Sequence, residues 1–128
     1  MEILKIPPGH LEGEALDRAV MLLREGRVLA FPTETFYGLA CDGKNEKAVA
    51  RLFEIKGRSF DKPVPVIIGD REALEGLVAE IPWEAEKLME AFWPGPLTLV
   101  LKALPTVNGR LTADSGKIGV RLSSHPLA

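Results

Sequence analysis

A single cysteine, Cys41, leaves the chain without a partner for an internal disulfide. His10 and His125 are its two histidines, and their positions relative to Cys41 give no spacing that reads as a zinc site. A reducing, cytoplasmic setting suits that composition. The opening "MEILKIPPG" lacks a basic segment followed by an apolar one, so no signal peptide is legible, and no apolar run is long enough to cross a bilayer. An excess of one charge is missing as well. Sixteen Lys and Arg against eighteen Asp and Glu give a formal charge of −2, which announces no nucleic acid, although a basic patch can sit inside a near-neutral total. Repeats, low-complexity tracts and interdomain linkers are also absent. What remains, 128 residues with 46% hydrophobic and 27% charged, is ordinary globular composition for one domain with a modest core.

The periodicity reads as alternating strands and helices. "EILKI" near the N-terminus alternates as a short strand before Pro7, Pro8 and Gly9 interrupt it. "GEALDRAVMLLREG" carries Leu16, Ala19, Val20 and Leu23 at helical spacing up to Gly26. "RVLAFP" is a short apolar run that fits a buried strand. "EKAVARLFEIKG" predicts a second helix, with Val49, Leu52 and Phe53 on one face, Lys56 in the last turn and Gly57 at its end. "VPVIIG" reads as a strand that Pro65 places at a beginning or an edge. "REALEGLVAE" puts Leu74, Leu77 and Val78 on one helical face, and "PWEAEKLMEAF" is a helix opened by Pro82. "WPGP" breaks it, "LTLVLKAL" and "KIGVRL" are strands, and "PTVNGRLTADSG" between them is loop. That order predicts an α/β domain with a mixed sheet.

Two stretches carry more polar chemistry than packing requires. In "FPTETFYGL", at 31–39, a strand halted by Pro32 runs into Thr33, Glu34, Thr35 and Tyr37, crowding donors and acceptors at one bend. In "KGRSFDKP", at 56–63, Lys56, Arg58 and Lys62 surround Gly57, a set that can grip phosphate: lysine brings a compact charge, arginine a planar fork, and glycine lets a backbone approach a ligand. A lone KxR is more often a solvated basic loop, here with Asp61 as partial neutraliser. Standard nucleotide and hydrolase signatures do not compete. "SGKIG" at 115–119 fails as a phosphate loop because Leu111 and Ile118 stand where a glycine and a Ser or Thr are required, and GxGxxG, GxSxG and HExxH do not occur.

Taken in order, "PTETFYGL", "FEIKGRSFDKP", "FWPGPLTLVL" and "GVRLSSHPLA" resemble the YrdC-like threonylcarbamoyl-AMP synthases, which carry close versions of PTETVYGL, KGRPxxxPL, WPGPLT and VAVRxPxHP. The resemblance runs from about Val28 to Ala128 and more loosely over the first strand and helix. It implies an open, twisted, mixed sheet flanked by helices, and an enzyme that joins L-threonine with bicarbonate and adenylates the product with ATP. The resulting threonylcarbamoyl-AMP serves N6-threonylcarbamoylation of adenosine 37 in tRNA by the threonylcarbamoyl-transfer machinery. By the same resemblance Thr33 and Arg121 bind L-threonine, Arg121 through its carboxylate, and Tyr37 walls that pocket, a position that core packing would equally explain. Lys56 and Arg58 bind ATP and act catalytically by stabilising charge at the α-phosphate, and Lys117 lies near the nucleotide. Glu34 and Thr35 read better as capping or turn residues, and "FWPGPLTLVL" as structural. A magnesium ion on the phosphates is expected from nucleotide chemistry generally, since the sequence offers no ligand cluster for one.

Departures from the pattern are local. Ser59 replaces the usual proline of KGRP, Phe60 stands where some relatives have serine, Ile67 lies near a histidine used by some relatives for threonine, and Lys117 stands where threonine is frequent. The resemblance also implies a further helix, strand and S-x-N segment beyond "HPLA". Residues 1–128 are therefore expected to be the N-terminal portion of a single YrdC-like domain, incomplete at the C-terminus. Little activity is expected of that portion alone, together with self-association through an uncovered edge. Two other readings stand beside the synthase: an RNA-binding module that uses the same basic concavity, and a carbamoyl-adenylate-handling domain of the hydrogenase-maturation type.

Overall fold

A computed structural model of the chain describes every residue except Pro8, His10, Arg58 and Phe60. Along it run α1 (Glu14–Arg24), β1 (Leu29–Pro32), β2 (Tyr37–Ala40), α2 (Glu46–Lys56), β3 (Val66–Ile68), a 3-10 helix (Arg71–Gly76), α3 (Trp83–Phe92), β4 (Leu99–Lys102), α4 (Gly109–Thr112) and β5 (Lys117–Leu122). The strands make two separate sheets. β1 and β2 form an antiparallel hairpin, and β3, β5 and β4 lie in that order, with β5 parallel to β3 and antiparallel to β4.

Most predicted elements form where their periodicity places them, and the exceptions have physical causes. "EILKI" is not a strand: residues 1–7 pair with no strand among the described residues, and Glu2 instead reaches Arg18 on α1 at 3.3 Å. A strand's alternate N–H and C=O groups need a neighbour, and alternation alone supplies none. "RVLAFP" is a strand but is not buried, because its partner β2 makes a two-stranded ribbon with both edges open. The structure places Tyr37 on β2, paired with Pro32, so the expected bend is the turn of a hairpin. "REALEG" winds as a 3-10 helix capped by Asp70, whose Oδ1 accepts the Ala73 N–H at 3.0 Å. Inside the expected loop at 105–116, Asn108 caps the four-residue α4 through the Arg110 N–H.

Two apolar clusters hold these parts. Ile118 and Val120 of β5, Leu99 and Leu101 of β4 and Ile68 of β3 point to one side of the sheet, where they pack with Leu74, Val78, Ala85 and Met89. A smaller cluster of Val49, Phe53 and Leu111 anchors α2, with Val64 and Val66 against it. α2 is well delimited. Asn45 Oδ1 accepts the Ala48 N–H at 3.1 Å, and Gly57 ends the helix at φ 62°, ψ 27°, a left-handed conformation that costs glycine little. Alternation along β5 sends Lys117, Gly119 and Arg121 to the face opposite the main core. Val100 on the same open face is 66% exposed. Among the described residues, no helix is long and apolar enough to cross a membrane.

Candidate functional site

The hairpin turn is built by Thr33. Its hydroxyl donates to the Phe36 carbonyl at 2.7 Å and accepts the Thr35 N–H at 3.2 Å. With its proton so committed, its 3.1 Å contact to the Thr35 hydroxyl has Thr35 as the donor. One donor and two acceptor positions are thus used inside the turn, and Thr33 shapes the bend before it can bind anything. Thr35 takes the turn role expected of it. Tyr37 belongs to no core, being 76% exposed, and Phe36 beside it is 83% exposed.

Opposite the turn stands Arg121, near the C-terminal end of β5. Three segments converge on it. Thr98, just before β4, accepts the Arg121 Nε–H at 3.1 Å, and Glu34 Oε1 lies 3.6 Å from NH1. The Ser123 hydroxyl donates to Glu34 Oε2 and accepts the His125 N–H at 3.1 Å. The "WPGP" turn, which contains a cis Trp93–Pro94 peptide, is fastened alongside by the Gly95 N–H donating to the Leu122 carbonyl at 2.8 Å. A side chain at Gly95 would collide with the Phe92 carbonyl, so the tight approach requires glycine. Ile67 is the register partner of Arg121 across β3 and shares its face.

Sequence reasoning missed Glu34 and Thr98, assigning one to a turn and the other to a structural motif. Both lie within the quoted stretches. The available signal was a carboxylate two residues past a strand-ending proline, with an arginine far away in sequence to pair with it. The Glu34 carboxyl is held below the usual carboxylate range, chiefly by the Ser123 hydroxyl acting against burial, with smaller lowering effects from backbone N–H groups and from Arg121. A lowered folded-state value means that the stabilisation is complete above the ordinary carboxylate range and is lost as pH falls through the lowered value. Glu34→Gln should therefore be less stable than wild type near pH 7, with the gap narrowing in urea titrations at acid pH, below the ordinary carboxylate range. An equal gap at both pH values would mean that the charge on Glu34 contributes nothing.

The basic residues lie elsewhere on the surface. Lys56 ends α2 exposed to solvent, where the helix's carbonyl end favours its charge, and it makes no ion pair among the described residues. Ser59, Asp61 and Lys62 are also exposed, and the Val64 N–H donates to the Leu111 carbonyl at 3.1 Å, fastening the segment to α4. Arg58 and Phe60 lie outside the described residues. Lys117, exposed at the start of β5, is the register partner of Lys102 on β4. It stands about 13 Å along the strand from Arg121 at roughly 3.3 Å per residue. The structure thus brings Arg121 together with the turn that carries Thr33, and shows no direct contact from Lys56 or Lys117 to either.

A family model described as telomere recombination, covering the Sua5, YciO and YrdC proteins, matches residues 21–128. The chain belongs to this Sua5/YciO/YrdC family. A Bacillus subtilis threonylcarbamoyl-AMP synthase is 46% identical over 87% of the chain, and a Pyrococcus abyssi protein of the same name is 47% identical over 86%. The crystal structure of P. abyssi Sua5 complexed with L-threonine superposes on 88% of the chain with a TM-score of 0.86 and 45% identity. The chain spans about a third of each relative: 32% of both synthases and 33% of the Sua5 chain. The family's α/β fold with open sheets is the one expected from the motifs, with the difference that the five strands among the described residues divide between a hairpin and a three-stranded mixed sheet.

Proposed function

We propose that this chain carries the L-threonine and ATP recognition elements of a threonylcarbamoyl-AMP synthase, acting in N6-threonylcarbamoylation of adenosine 37 in tRNA. The observation that carries this reading is the Arg121 guanidinium, held by Thr98 and Glu34 at the end of β5. A planar fork fixed on one side is suited to taking an α-carboxylate on the other. The similarity to a Sua5 protein crystallised with L-threonine supports it. Thr33 would contribute by holding the turn, with Tyr37 as an exposed wall, and Ile67 would offer an apolar surface to the threonine methyl.

In the proposed reaction the threonine amine joins bicarbonate with loss of water, giving a carbamate. A carbamate oxygen then attacks the α-phosphorus of ATP, and pyrophosphate leaves. Carbamate and ATP are both anionic, so fixed cations are needed to lower their repulsion. We assign that role to Lys56 and Arg58, with Lys117 near the nucleotide. Its neighbour supports the last assignment: Lys102 and Lys117 stand opposite each other with like charge, an arrangement that a bound anion relieves. A magnesium ion, expected from nucleotide chemistry generally, would arrive with the nucleotide as part of the substrate.

Pyrophosphate release from ATP that needs both threonine and bicarbonate tests the reading. Release that ignores threonine, or an absence of threonine binding by calorimetry, would overturn it. In a protein that spans the full length of its relatives, Lys56→Ala and Arg58→Ala should each weaken ATP about tenfold to a hundredfold, the equivalent of one charged hydrogen bond of roughly 1.5 to 3 kcal/mol. Unchanged ATP titrations in both variants would remove the basic cluster from the site. RNA binding is the reading the comparisons favour less. It predicts an affinity that falls steeply with salt and does not respond to threonine. Self-association through the open face around Val100 and the hairpin aromatics is also proposed, and light scattering would show a mass above that of one chain.

A further inference from the structure

Glu34 presents two carboxylate oxygens with different surroundings. Oε2 takes the Ser123 hydroxyl, whereas Oε1 is buried, makes no hydrogen bond, and has the Arg121 NH1 at 3.6 Å as its ion-pair partner. Oε1 is out of contact with solvent, so in this arrangement a ligand does not reach that oxygen. What Glu34 can reach is the guanidinium. Thr98 holds that group at Nε, from a second direction. A flat fork with one contact can still rotate about it, and a second contact at a different nitrogen fixes the plane.

We propose that Glu34 is the positioning residue for Arg121: anchored by the Ser123 hydroxyl, it locks the guanidinium plane together with Thr98, so that the remaining donors face the carboxylate of an α-amino acid. This rests on the threonine reading of the site. The same contact ties the hairpin turn to the end of β5, so the half of the site shaped by Thr33 and the half carrying Arg121 keep one relative placement. Glu34 thereby acts on substrate through another residue, by orienting it.

Calorimetric titration of L-threonine and, separately, ATP into wild type, Glu34→Ala, Glu34→Gln and Arg121→Ala tests the proposal. Glu34→Ala should raise the threonine Kd about tenfold while leaving the ATP Kd within about twofold. Glu34→Gln, which keeps a partner for Ser123 and loses the charge, should fall between it and wild type. NMR of the Arg121 guanidinium provides a readout without ligand: the NH1 hydrogens, slowed in wild type by the Glu34 ion pair, should exchange faster in both Glu34 variants. If Glu34→Ala binds threonine like wild type while Arg121→Ala does not, the positioning role is overturned and the threonine reading survives. If wild type binds no threonine, the reading itself fails and takes the substrate half of the proposal with it. An unchanged Arg121 signal in both Glu34 variants would refute the orienting contact directly. Equal loss of threonine and ATP in a Glu34→Gln variant with a lowered melting temperature would reduce Glu34 to a structural tie.

Discussion

Arg121→Ala is expected to remove measurable threonine binding and to destabilise the fold at the same time. A bidentate guanidinium–carboxylate contact supplies two charged hydrogen bonds, and losing them costs about 3 kcal/mol or more, a factor of at least about a hundred in Kd. The second effect falls on the protein itself. Without the guanidinium, Glu34 Oε1, buried and making no hydrogen bond, also loses the opposite charge beside it. That should cost about 1 to 3 kcal/mol of folding stability. Arg121→Lys should recover less than its charge suggests, because a single ammonium cannot meet Thr98, Glu34 and a carboxylate together. Calorimetry for threonine and urea denaturation for stability separate the two effects. ATP binding should change far less, since Lys117 stands well along the strand and Lys56 on another element. Normal threonine binding by Arg121→Ala would end the amino-acid assignment even with the fold intact.

Phe53→Ala should cost about 3 to 5 kcal/mol of stability. Phe53 is 1% exposed and is the largest member of a cluster whose other fully packed residues are Val49 and Leu111. So small a cluster has few neighbours with which to fill the resulting cavity. Against a total stability of about 5 to 15 kcal/mol, the loss is a large fraction. The consequence reaches function, because α2 carries Lys56 at its last position and its docking against Leu111 and Val64 sets where that lysine stands. Phe53→Leu, which keeps most of the volume, should cost about 1.5 kcal/mol or less. A loss below about 1 kcal/mol for the alanine variant would show that α2 is held in place by something other than this cluster.

The limits of sequence reasoning follow from which interactions are local. α2 is legible to the residue because its apolar face, last-turn lysine and terminal glycine lie close together in the chain. The same holds for α3 and the β5 alternation, and the motif set points to the family correctly. The failures involve partners that the chain must bring from elsewhere. The N-terminal segment alternates like a strand and finds no neighbour, while "RVLAFP" pairs with the stretch read as a bend. Glu34 looks like a turn residue because it is one. Its ion pair with Arg121 joins residues far apart in sequence, and no local pattern encodes that contact.

By itself the sequence determined α1, α2 and α3, the strand-ending prolines, the glycine turns and the residue types available for an amino-acid and phosphate site. Each depends on backbone preference or on spacing within a few residues, which tertiary surroundings seldom override when several signals agree. Tertiary structure decided the division into two sheets, the exposure of Tyr37 and the pairing of Lys102 with Lys117. It also converted Glu34 and Thr98 from punctuation into the two supports of Arg121. The reason is that hydrogen bonds and charge pairs are satisfied across space, by whichever group the folded chain presents, and register between distant strands sets which group that is.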